Sequence, residues 1–345
     1  MTHDSNNLLP PREAERPLFA GVDLGGTNIK VGLVDDQGRT LAFRSIPTHI
    51  ERGPEEGARR MGQAVLDLAA SAGINPTEIM RIGLGTPGTM DIPTGRLVNP
   101  VNLPGWNEFP IRDRVSDHAG GLPVSYANDA AAAAYGEFWV GSGRDYKSMV
   151  LFTLGTGIGG GIIIGDLSID GEHSHGAECG HIIIDSRDDA RMCGCGQRGH
   201  LEAYSSATAV IKRTREALGS GRPSSLAARV KQGEDVTPLL VAEEAEGGDP
   251  LALEIVLETA RYLGIGVVTM MHAIDPAGVV LGGAMTFGGH SSKLGRQFLE
   301  RVKQEVHARA FPVPAAQTTI DFALLGSDAG YIGAAGIARL AYRGS

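Results

Sequence analysis

One plan occurs twice in this chain, and it limits the fold more than any other feature. LFAGVDLGGTNIKVGLVDDQGRTLAFRSI and MVLFTLGTGIGGGIIIGDLSIDG each place β-rich apolar runs on both sides of a glycine turn. The first turn lies at Gly25 and Gly26, and a second turn over Asp35 to Gly38 predicts an antiparallel trio of strands. In the later copy AECGHIIID is the expected third strand. A duplication of this kind predicts two related α/β domains, each with a glycine turn at a strand end and a ligand cleft between them. The length of 345 residues fits two domains. Glycine, 49 of 345 or about 14%, is about twice as frequent as usual, without the triplet period of collagen.

Apolar positions Ala58, Met61, Val65, Leu68 and Ala72 recur at helical spacing, with Gly73 as the stop. Strand followed by helix is expected again at Ile79 to Leu84, and at Val124 to Tyr126 running into the alanine-rich stretch that begins at Asp129. Later helices are expected at Ala207 to Leu218 and Leu251 to His272, and a strand at Gly278 to Leu281. The domain boundary falls near residues 127 to 147. The resulting division is a loose tail over 1–17, a smaller domain over 18–128, a larger domain over 129–329, and a last helix over 330–345 that crosses back to the smaller domain.

A formal charge of -9 argues against a broad cationic surface for nucleic acid or anionic lipid. The run from Ser148 to Gly165 has the length of a membrane span, but six glycines interrupt it, and it reads as two strands around a turn. Three cysteines cannot build a disulfide framework, and Cys193 and Cys195 stand too close for an unstrained bridge. A reducing, cytoplasmic setting and a metal site are therefore expected.

Glycine turns after strands let phosphate oxygens approach backbone amides, which makes Asp23-Leu-Gly-Gly-Thr27 and Leu154-Gly-Thr-Gly-Ile-Gly159 candidate phosphate loops. Plain hairpins use the same turns. Neither fits the P-loop pattern, and the G-x-G-x-x-G at Gly155, Gly157 and Gly160 leads into a strand where a dinucleotide fingerprint needs a helix. Asp23 is placed to hold hydrated Mg²⁺ or to cap its turn, and Thr27 and Thr156 each offer a hydroxyl to a phosphate. Asn128-Asp129 lies where a strand yields to a helix. It can cap that helix, or Asp129 can accept the proton of a substrate hydroxyl, with the helix N-terminus favouring the carboxylate.

His181 together with CGCGQRGHLE sets Cys193, Cys195 and His200 within reach of one ion, a closed Cys2His2 zinc site of structural type. Free cysteines without a metal are the alternative, and His173 and His175 are rival ligands. Glu178 and Glu202 flank the loop, and paired carboxylates can accept hydrogen bonds from neighbouring sugar hydroxyls.

In this order, DLGGTNIK, ANDAAAAAYGE, LGTGIGGG, GAECGH, CGCGQRGHLEAY and VVLGGAM resemble the ROK family of repressors, open reading frames and sugar kinases, most of all its glucokinases. The resemblance runs from about Leu18 onward. It implies the actin-like, hexokinase-like ATPase fold, with duplicated ribonuclease H-like α/β domains, and transfer of phosphate from Mg-ATP to the 6-hydroxyl of glucose. It further implies that Asp23, Gly25, Gly26, Thr27, Asn28, Thr156, Gly157, Gly282 and Gly283 bind Mg-ATP. Gly88, Asn102, Asn128, Asp129, Glu178, His181 and Glu202 would bind the sugar, with Asp129 as catalytic base. His181, Cys193, Cys195 and His200 would hold zinc, although the family carries cysteine at the position of His200. Cys179 replaces a bulkier aliphatic residue and receives no role. The family also implies a homodimer or homotetramer. Its kinases for fructose, mannose or N-acetylmannosamine share these residues, and its sugar-responsive repressors add a helical DNA-binding domain. The first 17 residues are too short and too rich in proline for such a domain.

Overall fold

The computed structural model describes residues 8–100 and 102–344. In chain order the first elements are β1 (Leu18–Leu24), β2 (Asn28–Val34), β3 (Thr40–Pro47), α1 (Pro54–Ser71), β4 (Ile79–Thr86), β5 (Met90–Asp91) and β6 (Arg96–Leu97). Next come α2 (Ile111–His118), β7 (Val124–Asn128), α3 (Asp129–Trp139), β8 (Ser148–Leu154), β9 (Ile158–Ile164) and β10 (Leu167–Ser168). There follow α4 (Glu202–Ser205), α5 (Ala207–Gly219), α6 (Leu226–Lys231), α7 (Pro238–Glu246), α8 (Pro250–Ile274) and β11 (Gly278–Gly282). The last are α9 (Lys293–Arg309), α10 (Pro312–Gln317), β12 (Thr319–Phe322) and α11 (Ala329–Arg343).

Two five-stranded sheets run in the orders β3-β2-β1-β4-β7 and β10-β9-β8-β11-β12. In the first, β1, β2 and β3 form the antiparallel trio, while β1, β4 and β7 are parallel, so their carboxyl ends share one edge. In the second, β8, β11 and β12 are parallel. Helix α1 buries Ala58, Met61, Val65 and Leu68. It stops at Ala72, followed by Gly73 at φ 68°, a left-handed conformation that glycine adopts without steric cost. No helix among the described residues is long and apolar enough to cross a membrane.

The chain divides into two compact units. One holds the described residues through Asp145, Gly161–Ala177 and those from Leu324 on; the other holds Tyr146–Gly160 and Glu178–Ala323. The sequence-based division therefore needs correction. The boundary at 145/146 lies within the expected range of 127 to 147 but beyond the 128/129 division, because α3 packs on α11 inside the first unit. There a Cβ on Gly136 would stand 2.6 Å from the Ala329 carbonyl oxygen and 3.0 Å from Gly333 N, so small residues set the helix spacing. The segment 161–177 also belongs to the first unit.

Of the expected loose tail, residues 1–7 lie outside the described residues, and residues 8–17 are tied down. Leu9 N donates to Thr40 O at 2.9 Å, Pro11–Glu13 forms a 3-10 turn, and Arg16 meets Glu78 at 2.7 Å. Buried Asp35 anchors the segment by accepting the amides of Glu15, Gln37 and Arg39 along with the Arg39 guanidinium. AECGHIIID is not the third strand of the second trio. Leu167–Ser168 takes that place against β9, Cys179–His181 is a 3-10 turn, and residues 182–184 pair with 199–201.

Candidate functional site

The β1–β2 hairpin turns at Gly25, whose amide donates to Asn28 O at 2.9 Å. Thr48, buried just beyond β3, staples the turn: its amide donates to Thr27 O at 2.8 Å and its hydroxyl to Gly25 O at 2.6 Å. The amides of Gly26 and Thr27 donate to no acceptor among the described residues. Two adjacent amides left without an acceptor on a stapled turn are the kind of donors an anion-binding concavity uses. Asp23, the last residue but one of β1, lies beside this turn. Burial raises the pKa of the Asp23 carboxyl, and the nearby Lys30 ammonium opposes that rise. Nothing local in the sequence marked Thr48, since its role depends on β3 folding back beside the first turn.

The strand register carries this site across the sheet edge. Asp23 pairs with Gly85 in β4, and Thr86 pairs with Asn128 in β7. Asn128 caps α3, its Oδ1 accepting from Ala130 N at 2.8 Å and Ala131 N at 3.3 Å, while its Nδ2 donates to Gly88 O at 3.4 Å. Asp129, the first helical residue, is partly exposed and accepts the Ala130 amide through Oδ1 at 2.8 Å. The loop carrying Asn102 is moored by Trp106, fully buried against Gly57, where a Cβ would overlap the indole. Burial of the ring's apolar area contributes about 2–3 kcal/mol, offset in part because the buried Trp106 Nε1 has no hydrogen-bond partner among the described residues. The Asn102 carbonyl lies 3.9 Å from where a Gly26 Cβ would stand. The first unit thus gathers Asp23, Gly25, Gly26, Thr27, Asn28, Gly88, Asn102, Asn128 and Asp129 along one edge.

The second unit repeats the device. Gly155 N donates to Gly157 O at 3.0 Å, and the amides of Thr156 and Gly157 donate to no acceptor among the described residues. Gly282 pairs with Thr153, and Gly283, at φ 91°, sits so close to Leu154 that a Cβ would overlap its carbonyl. The Gly282–Gly283 bend therefore flanks the second glycine turn.

Below that turn, His181, Cys193, Cys195 and His200 bring four donor atoms within 4.8 Å of one another. His181 Nδ1 is 3.2 Å from His200 Nδ1, Cys195 Sγ is 3.2 Å from His200 Nδ1, and Cys193 Sγ is 3.9 Å from His181 Nδ1. The edges of a tetrahedral Cys2His2 zinc site are about 3.3 to 3.8 Å, so the donor set and its spacing fit that ion. Burial, and then the neighbouring His181, lower the pKa of His200, which favours the neutral imidazole that binds metal. Gly196 and Gly199 take positive φ in this knuckle, and a Cβ on Gly199 would overlap the Asp185 carbonyl. His173 and His175 are exposed and outside the cluster. The Cys179 thiol is buried, and burial pushes its pKa up to about 12, as expected for a packing residue.

The two glutamates flank different ligands. Glu178 Oε2 lies 3.9 Å from His181 Nε2, the ring nitrogen turned away from the cluster. Glu202 places Oε1 3.4 Å from Cys193 Sγ and accepts the Ile158 amide through Oε2 at 2.9 Å. The second of these bonds, from a glutamate to the far hairpin, has no counterpart in the sequence-based expectations.

A family model described as ROK family matches residues 19–341. The glucokinase of Halalkalibacterium halodurans is 34% identical over 315 residues, covering 91% of this chain and 93% of that protein. Among solved structures, the ROK hexokinase from Thermus thermophilus superposes with a TM-score of 0.80 at 32% identity, covering 95% of this chain and 100% of that one. A ROK family glucokinase from Streptomyces griseus, in complex with glucose and AMPPNP, gives a TM-score of 0.73 at 31% identity, covering 94% of this chain and 99% of that one.

Proposed function

The chain belongs to the ROK family, with the hexokinase-like ATPase fold of its structural relatives, and from that premise we propose that it is an ATP-dependent glucokinase. The observation that carries the reading is the row along the first sheet edge, where Asn128-Asp129 at a helix start stands one strand away from β4 and two from the Asp23 glycine turn. A proton acceptor and a phosphate loop on one rigid edge are what phosphoryl transfer to a hydroxyl requires.

In this mechanism the Asp129 carboxylate accepts the proton of the glucose 6-hydroxyl as that oxygen bonds to the γ-phosphorus. The bond from the γ-phosphorus to the β,γ-bridging oxygen breaks, and ADP and glucose 6-phosphate leave. Asp23, Gly25, Gly26, Thr27 and Asn28, with Thr156, Gly157, Gly282 and Gly283, are assigned to Mg-ATP, their amides and hydroxyls neutralising phosphate charge. Gly88, Asn102, Asn128, Glu178, His181 and Glu202 are assigned to the sugar hydroxyls. His181, Cys193, Cys195 and His200 would hold a structural zinc ion, and joining His181 to the 193–200 loop would bring the flanking Glu178 and Glu202 together. A cytoplasmic homodimer or homotetramer follows by analogy with the family.

Phosphate transfer from Mg-ATP to glucose, mannose, fructose, N-acetylmannosamine and N-acetylglucosamine tests the reading, with Asp129→Asn assayed in parallel. Glucose is expected to be preferred, and the variant to lose about 10²- to 10⁴-fold in kcat with an unchanged circular dichroism spectrum. Preference for another sugar keeps the kinase and changes its substrate. No transfer to any sugar overturns the kinase in favour of a sugar-responsive regulator, and near-normal kcat in the variant removes Asp129 as the base.

A further inference from the structure

The segment that leaves the metal loop grips the second glycine hairpin at three points. Glu202 Oε2 accepts the Ile158 amide at 2.9 Å, Ala207 N donates to Gly155 O at 2.9 Å, and the Thr208 hydroxyl donates to Thr156 O at 2.8 Å. Gly157 lies against the same carboxylate, so closely that a Cβ there would overlap Glu202 Oε2. Residues 155, 156 and 158 are therefore each held by a residue between 202 and 208. The start of that segment is fixed in turn by the cluster: His200 is one of its four donors, Ala203 N donates to His200 O at 3.0 Å, and Glu202 Oε1 lies 3.4 Å from Cys193 Sγ.

We propose that Glu202 is a positioning residue for the 155–158 hairpin, through which the Cys2His2 cluster sets nucleotide affinity independently of any sugar contact. The proposal rests on reading that hairpin as a nucleotide loop. A turn binds an anion through its amides at full strength only when its conformation is held before the ligand arrives, and a turn that must be ordered on binding loses affinity. The carboxylate of Glu202 supplies that hold at Ile158, and removing a charged hydrogen-bond partner of this kind weakens the function it supports about tenfold. A glutamate that served only the sugar would leave nucleotide binding unchanged when no sugar is present.

The test is calorimetric titration of Mg-ADP, without sugar, into the full-length protein, with zinc content and circular dichroism measured on each sample. Glu202→Ala is expected to bind Mg-ADP about tenfold more weakly at one zinc per chain, whereas Glu202→Gln, which keeps an acceptor for the Ile158 amide, stays within about twofold of the parent. Chelator treatment of the parent is expected to weaken Mg-ADP to a similar extent, and to add little in Glu202→Ala. If Glu202→Ala loses metal or fold, Thr208→Val takes its place, because its lost hydroxyl bond lies outside the cluster and must still weaken Mg-ADP at full zinc content. Unchanged Mg-ADP affinity in a folded, zinc-loaded variant, or in the folded metal-free parent, overturns the coupling. Failure of the untreated parent to bind Mg-ADP at all overturns the nucleotide reading itself, which the parent titration alone detects.

Discussion

Asp23, assigned to the proposed phosphate loop, is buried at a cost in stability. Its carboxylate lies against the start of α11, where a Cβ on Gly330 would come within 2.5 Å of Oδ2, and burial raises its pKa against the pull of Lys30. Lys30 is itself held, donating to Ser327 O at 2.6 Å. A carboxyl raised in the fold favours its neutral form there, so its stabilising contribution is complete below the ordinary carboxylate range and is lost as pH rises through the raised value. Asp23→Asn should therefore unfold a few degrees higher than the parent at pH 8, with the gap closing as pH falls toward 4. On the proposed assignment of Asp23 to Mg-ATP, phosphate transfer by the same variant should fall at least tenfold. Thermal unfolding across pH and initial rates check the two halves separately, and a gap that stays constant with pH contradicts the burial argument.

Helix α3 joins a cap to a candidate base in two adjacent residues. Asn128 accepts two helix amides, so Asn128→Ala should destabilise the protein by about 1 kcal/mol through the lost cap and also raise the sugar KM. Asn128→Asp keeps the capping oxygen but loses the amide that donates to Gly88 O, so its melting temperature should stay near the parent while the KM still rises. Equal melting losses in both variants would show that capping is not what Asn128 contributes to stability. Elements of this kind are legible in sequence because their signals are local. Both glycine hairpins, the strand-to-helix step at Asn128-Asp129 and the spacing of the Cys193, Cys195 and His200 ligands all lie within short stretches of chain. What escaped depends on distant partners. Ile182–Ile184 reads as a strand from its apolar run, yet Ile183 is 64% exposed and the segment pairs with 199–201 beside the Cys2His2 cluster. Thr48 and the Glu202 to Ile158 bond have no local signature, and the hold of Asp35 on residues 8–17 becomes visible only once the first sheet is folded.

At the scale of the molecule, the first unit is built from both ends of the chain, and small residues make that possible. Helix α11 lies on β1 and β4 so closely that a Cβ on Gly21 would overlap the Tyr331 carbonyl, and one on Gly83 the Ala334 carbonyl. These obstacles are backbone atoms, and no rotamer change relieves them. Gly83→Ala should therefore cost about 3 kcal/mol or more, above what an ordinary overpacked core residue costs. Gly219, exposed near the end of α5 with nothing near its Cβ position, is the matched control, and Gly219→Ala should stabilise by about 0.5–1 kcal/mol. The two substitutions can be followed apart, because both tryptophans, Trp106 and Trp139, belong to the first unit, whereas α4 through α10 belong to the second. Tryptophan fluorescence should report a midpoint lowered by on the order of 10 °C in Gly83→Ala, with far-UV circular dichroism moving less if the units unfold separately and equally if they unfold together. A fluorescence midpoint unchanged in Gly83→Ala would mean that α11 does not need its close seat on the sheet, and that the glycines in β1 and β4 are there for another reason.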